Sequence, residues 1–103
     1  MFIDKSYRKM KKLKKEYNAW VVIRKTWFLK NGKTVDDFLV ITNDEYIIVD
    51  NYEVIKCDIK DLLLYYKDIE RGIKELEAAG DKRASKLKIL LNKIESKCDV
   101  IEF

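Results

Sequence analysis

Between Trp20 and Cys57 the chain breaks into short runs of β-branched and aromatic residues, and the breaks between the later runs are only two residues long. Trp20-Val-Val-Ile23 and Thr26-Trp-Phe-Leu29 suit a pleated surface. Asn31-Gly32 separates them from the run Val35 to Thr42. Asn43-Asp44 precedes Tyr46 to Val49, and Asp50-Asn51 precedes Tyr52 to Cys57. Three two-residue punctuations between apolar runs specify a four-stranded antiparallel meander. Asn-Gly is the strongest short hairpin signal and points to a type I′ turn, with positive φ at both central residues. Closure at that turn pairs residues whose numbers sum to 63. It predicts Trp27 opposite Asp36 and Thr26 opposite Asp37, with Lys25 one or two positions away on the diagonal. Val40, Ile47 and Val54 then share one face, and Leu39, Ile41, Ile48 and Ile55 the other. A sheet that is apolar on both sides needs a cover on each.

The flanking segments supply helices. Ile3, Tyr7, Met10, Leu13 and Tyr17 fall at steps of three and four, which predicts an amphipathic helix over 3–17 and a cover for one face of the sheet. Lysines fill its other faces, and their mutual repulsion means that packing of the stripe must hold the helix. Asp58 is a good N-cap, with Asp61 three residues on. Ile59, Leu62, Leu63, Tyr66, Ile69, Ile73 and Leu76 give a second stripe, interrupted by Gly72. Gly80 reads as the residue that ends this helix, and Asp81 as the next N-cap. Ala84, Leu87, Leu91, Ile94 and Cys98 form a narrow seam, expected to pack on the 59–76 helix in an antiparallel hairpin. The alternative use of that seam is a dimer face. The hairpin is the expected cover for the second face of the sheet, and self-association would be another. The tail, Val100 to Phe103, either ends the last helix or returns as a short edge strand. The fold class is therefore α+β: an N-terminal amphipathic helix, a four-stranded antiparallel meander and a C-terminal helical hairpin, in one domain over 1–103. At 103 residues and 48% hydrophobic content such a chain can bury a core without metal or disulfides.

Little in the chain suggests catalysis. It contains no His, which removes imidazole bases and Ser-His or Cys-His nucleophile pairs. Asp36-Asp37, Asp44-Glu45 and the pair Asp58 and Asp61 are the acidic clusters. They sit at expected turns and a helix start, where Asp serves local hydrogen bonds, so no metal site is expected. Asn31-Gly32 is not a phosphate loop, because no Gly-rich run precedes a helix. No catalytic residue, cofactor or small-molecule substrate is evident. No apolar run approaches a membrane span, and the charged start is unlike a secretory signal. Cys57 and Cys98 read as free thiols in a reducing cytosol, which places the protein in the cytoplasm. Lys outnumbers Arg 18 to 4, and Pro and Gln are absent, a bias that suggests an AT-rich coding source such as a virus, a mobile element or an AT-rich microbe.

The charge pattern carries the functional expectation. Residues 1–33 hold 11 Lys/Arg against 2 Asp/Glu, a net +9, whereas residues 34–61 hold 2 against 8, a net −6. Residues 62–103 hold 9 against 8, which brings the chain to +4. One part of the molecule should attract a polyanion. The candidate contacts are Lys5, Arg8, Lys9, Lys11, Lys12, Lys14 and Lys15 on the helix, and Arg24, Lys25, Lys30 and Lys33 on the basic hairpin. A small, non-enzymatic protein that binds nucleic acid through these groups is the first expectation. Trp20, Trp27 and Phe28 lie among the hairpin cations and would suit stacking on bases, but large rings usually carry core burial, and burial is expected for them. The alternative is a protein-interaction module, a regulator or inhibitor that docks on an acidic surface of a larger complex or on a second copy. Binding to an anionic membrane surface through the first helix ranks below both. Asp36 and Asp37 follow the hairpin closely and would neutralise part of its charge, so the helix lysines are the more credible external surface.

Overall fold

A computed structural model describes residues 5–51 and 53–98. In chain order they form α1 (Lys5–Glu16), β1 (Val21–Phe28), β2 (Thr34–Ile41), β3 (Tyr46–Val49), β4 (Val54–Cys57), a 3₁₀ segment (Ile59–Tyr65), α2 (Tyr66–Ala78) and α3 (Arg83–Lys97). The class is α+β, with one antiparallel sheet in the order β1-β2-β3-β4. The chain divides into two compact units, Met1–Lys56 and Cys57–Phe103. Ile3, Tyr52 and the tail Val100 to Phe103, which the sequence pattern assigns to helix or strand, lie outside the described residues.

In the first unit α1 lies on the sheet. Leu13, Ala19, Val22, Phe38, Val40, Ile47 and Val49 make one buried cluster, with Met10 and Tyr17 packed against it. Tyr7 was expected on this stripe but is 54% exposed. At about 100° per residue the face built by Met10, Leu13 and Tyr17 is completed by Ser6, and Tyr7 lies roughly a quarter turn away. The Tyr7 ring instead receives the Lys11 ammonium, 4.8 Å from its centroid. α1 ends at Asn18, which takes φ 51°. The Ala19 amide donates to the Lys14 carbonyl (2.9 Å) and the Asn18 amide to that of Lys15 (3.3 Å). This is the Schellman arrangement, with Asn in the left-handed position usually held by Gly.

The β1–β2 hairpin differs from the expected type I′ turn. Gly32 has φ 79°, but Asn31 does not share the positive-φ region. The Gly32 amide donates to the Leu29 carbonyl (3.1 Å), and the Leu29 amide donates to that of Lys33 (2.9 Å). The loop is therefore three residues long, a type I turn closed by a left-handed glycine. The Asn31 Oδ1 accepts the Lys33 N–H (3.0 Å) and stabilises this form. The longer loop shifts the register by one: Thr26 pairs with Asp36, Lys25 with Asp37 and Trp27 with Val35. The β2–β3 register places Val40 opposite Ile47 and Leu39 opposite Ile48, with the alternation expected from sequence. Val21, Ile23, Leu39 and Ile41, on the face away from α1, are all buried. Val54 and Ile55 were assigned to apolar faces, but β4 is a four-residue edge strand and exposes both.

The second unit is a helical hairpin. The Asp58 carboxylate accepts the Lys60 and Asp61 amides, and the Asp61 carboxylate accepts the Asp58 amide. This capping box opens a 3₁₀ segment, where a single α-helix was expected over 59–76. The three-residue repeat aligns Leu62 with Tyr65, both buried, and leaves Leu63 and Leu64 exposed. α2 then buries Ile69 and Ile73. Gly80, φ 67°, ends it: the Asp81 amide donates to the Leu76 carbonyl (2.8 Å) and the Gly80 amide to that of Glu77 (3.0 Å). Asp81 caps α3 from one residue farther out than expected, accepting the Arg83 amide (2.9 Å) and its guanidinium. α3 buries Ala84, Leu87, Leu90 and Ile94, while Leu91 is half-buried. The expected seam thus lies largely inside the chain and is not a free face for a second copy. Lys88 pairs with Glu77 (3.0 Å), and the Tyr66 hydroxyl donates to Glu95.

A Cβ on Gly80 would meet nothing within 4 Å. Gly80→Ala should therefore lower stability through the backbone alone, by about 1–2 kcal/mol. Asn18→Gly, at the equivalent place in α1, should leave stability unchanged or raise it slightly. Urea unfolding of both variants checks the pair, and an unaffected Gly80→Ala would contradict this account of the helix end.

Candidate functional site

The sheet fixes which face of α1 meets solvent. With Ser6, Met10, Leu13 and Tyr17 turned inward, Arg8, Lys11, Lys12 and Lys15 fall on the opposite side, within an arc of about 100°. All four are exposed; Lys14 is exposed on the flank beside Tyr7, about 60° outside this arc. Lys5 opens the helix. Lys9 stands apart from the outer row: it is half-buried, with its ammonium 5.6 Å from the centroid of the buried Phe38 ring. Among the described residues no ion pair engages Arg8, Lys11, Lys12, Lys14 or Lys15. α1 has no acidic residue in its first turn, and Lys14 and Lys15 sit favourably at its negative C-terminal end.

The hairpin cations have a different environment. Asp36, on the α1 face, accepts hydrogen bonds from the Thr26 hydroxyl (2.7 Å) and from the Ser6 hydroxyl of α1. Burial alone would raise the pKa of this carboxyl. The two hydroxyls, helped by the positive charge of Arg24, outweigh that and hold it below its ordinary value. Asp36 is thus an ionised clamp between helix and sheet. Asp37 points to the other side of the ribbon. Its Oδ2 accepts the indole N–H of Trp27 (2.6 Å), and the Lys25 ammonium lies 4.8 Å from the centroid of the same ring. Lys25 also pairs directly with Asp37 across the ladder. In this register Lys25 lies directly opposite Asp37, where a diagonal placement was expected from sequence, and the positive charge of Arg24 acts on Asp36. Lys30 and Lys33 are exposed at the tip, and among the described residues no ion pair engages them.

The aromatic rings overturn an expectation. Trp20 is half-buried, Trp27 is 41% exposed and Phe28 is 83% exposed. Large rings usually enter a core, but the latter two occupy the end of β1, next to the loop. Alternation along β1 separates them: Phe28 shares the α1 face with Thr26, while Trp27 shares the opposite face with Lys25. Trp27, Phe28, Leu29 and Val35 border a shallow depression of about 310 Å³, together with Asp37, Asp50 and Asn51. Among the described residues no group of three or more His, Cys, Asp or Glu is placed to hold a metal ion, and no helix is long and apolar enough to cross a membrane. Comparison with protein-family models, with curated proteins and with solved structures finds no match.

Because the folded-state pKa of Asp36 is depressed, its ionised form is the one that favours folding. The stability it contributes is complete above the ordinary carboxyl value of 3.8 and is lost as pH falls through the lower folded-state value. Asp36→Asn should destabilise the protein at neutral pH, and its deficit relative to wild type should shrink in acid. Denaturant unfolding of both proteins across the acid range tests this; a deficit that stays constant with pH would rule out the ionised clamp.

Proposed function

We propose that this protein binds nucleic acid through the phosphate backbone, with the outer face of α1 as the principal contact and Lys30 and Lys33 at the hairpin tip as a second. The observation that carries this reading is the row Arg8, Lys11, Lys12 and Lys15: four exposed cations on one side of a helix, with no ion pair to any of them among the described residues. From Arg8 to Lys15 the helix rises about 10 Å, a length that spans roughly three phosphates of one strand. A flexible ammonium row of this kind neutralises phosphates without reading base edges, so the binding is largely independent of sequence. Arg24 and Lys25, half-buried and beside the carboxylates Asp36 and Asp37, rank behind these contacts. Lys9 acts in packing, over the Phe38 ring. The protein works as a binding module and not as an enzyme.

Affinity for DNA or RNA should then fall steeply with salt, because each neutralised phosphate releases a counterion. Replacing Lys11, Lys12, Lys14 and Lys15 together with Glu should weaken binding to all sequences alike. For every phosphate that no longer meets a lysine, the salt slope should drop by about one. Fluorescence anisotropy against labelled DNA and RNA over a salt series measures both quantities. No binding to either polymer at low salt would sink the proposal, and binding to an acidic protein in its place would transfer these cations to a protein-docking role.

A further inference from the structure

The geometry points to single-stranded nucleic acid as the preferred ligand of this surface, with Phe28 as a stacking platform for a base; this inference rests on the proposed phosphate binding by α1. Phe28 is the most exposed large apolar side chain among the described residues, at 83%. Its surroundings give this ring a use. It lies on the face of the ribbon that α1 covers, two residues beyond Thr26. The Thr26–Asp36–Ser6 clamp fixes the start of α1 at that level. The ring therefore stands about 7 Å farther toward the tip than the clamp. The helix cations lie on one side of it in this unit, and Lys30 and Lys33 lie on the other, in the loop and at its end.

Trp27 does not share this role. Its indole N–H is taken by Asp37 and an ammonium lies near its ring, and Asp37 and Asp50 border the depression beside it. Phe28 borders the same depression, but strand alternation sets it on the α1 face, toward the helix cations. In a duplex the base faces are stacked on one another and cannot meet Phe28. In a single strand they can, and every base offers a π-face, so the contact is tolerant of sequence. Phosphates flanking the stacked base would meet Lys30 and Lys33 toward the tip and the α1 row on the other side.

The test uses the full chain and two probes, a fluorescein-labelled single-stranded oligonucleotide and the duplex of the same sequence, each as DNA and as RNA. Wild type should bind the single strand more tightly than the duplex. Phe28→Ala should weaken single-strand binding about tenfold and leave duplex binding nearly unchanged, with the fold intact by circular dichroism. Phe28→Trp should retain single-strand affinity, and oligonucleotide binding should quench the added indole emission. If both probes bind equally and Phe28→Ala affects neither, the stacking role is wrong while phosphate binding by α1 stands. If Phe28→Ala weakens both probes by the same factor, the ring serves general adhesion and strand selection is overturned. If wild type binds neither probe, the inference fails together with the reading beneath it.

Discussion

The left-handed conformation of Gly32 decides which hairpin side chains lie beneath α1. With a three-residue loop, residues of equal parity pair across β1 and β2, so Val22, Thr26, Asp36, Phe38 and Val40 all face the helix. A two-residue type I′ loop would pair Thr26 with Asp37 and Arg24 with Leu39. That register would turn Leu39 and Ile41 toward the helix and carry Asp36, Phe38 and Val40 to the other side, because a slip of one residue exchanges the two faces of a strand. Ser6 would lose its acceptor, and the ring beneath Lys9 would be gone. The packing of α1, and with it the direction in which its lysines point, follows from one residue with positive φ and one Asn side chain that holds a nearby amide.

Much of this arrangement was legible in the sequence. The strand runs, the place of each turn, the helix stop at Gly80 and the cap at Asp58 all follow from local chemistry that the fold does not override. What escaped was decided by interactions a local pattern does not contain. Asn-Gly favours a type I′ turn as a dipeptide, but the Asn31–Lys33 hydrogen bond supports the longer loop. Leu62-Leu63-Leu64-Tyr65 has no internal period, so a repeat of three and one of three to four residues read alike. Tyr7 fits the stripe of α1 by spacing, yet Ser6 takes the inward position because a carboxylate waits there. Of the candidate site, the helix cations were legible as a group. Their division into an outer row and the inward Lys9 required the sheet. Phe28 departs from the burial expected of a large ring for a physical reason: it lies at a strand end, beyond the side chains of α1 that build the core.

Charge shows the same difference between chain and structure. Along the sequence the helix and the hairpin are one block of +9. In space the stem of the hairpin carries acids as well, Asp36 on the face of Arg24 and Asp37 on that of Lys25. Each carboxylate also performs a structural task, Asp36 holding α1 to the sheet and Asp37 orienting Trp27. The cations that remain unanswered are those on the outer helix face and at the loop. Neighbouring opposite charges cancel part of each other's field at distances beyond a screening length of about 8 Å. A distant polyanion therefore senses the helix row and the tip more than the stem of the ribbon.

This coupling gives the surface its direction. The carboxylate that shares a face with Arg24 is the one that seats α1, so negative charge is added to the sheet at the place where the helix is attached and its cations are turned outward. Removing Asp36 would free charge on the ribbon while loosening the platform that presents the lysines. A gain of net positive charge at this position would then accompany a less ordered cationic row. Binding strength in such a surface depends on how the cations are held and not only on how many there are, since ordering flexible lysines costs side-chain entropy that a fixed helix already reduces.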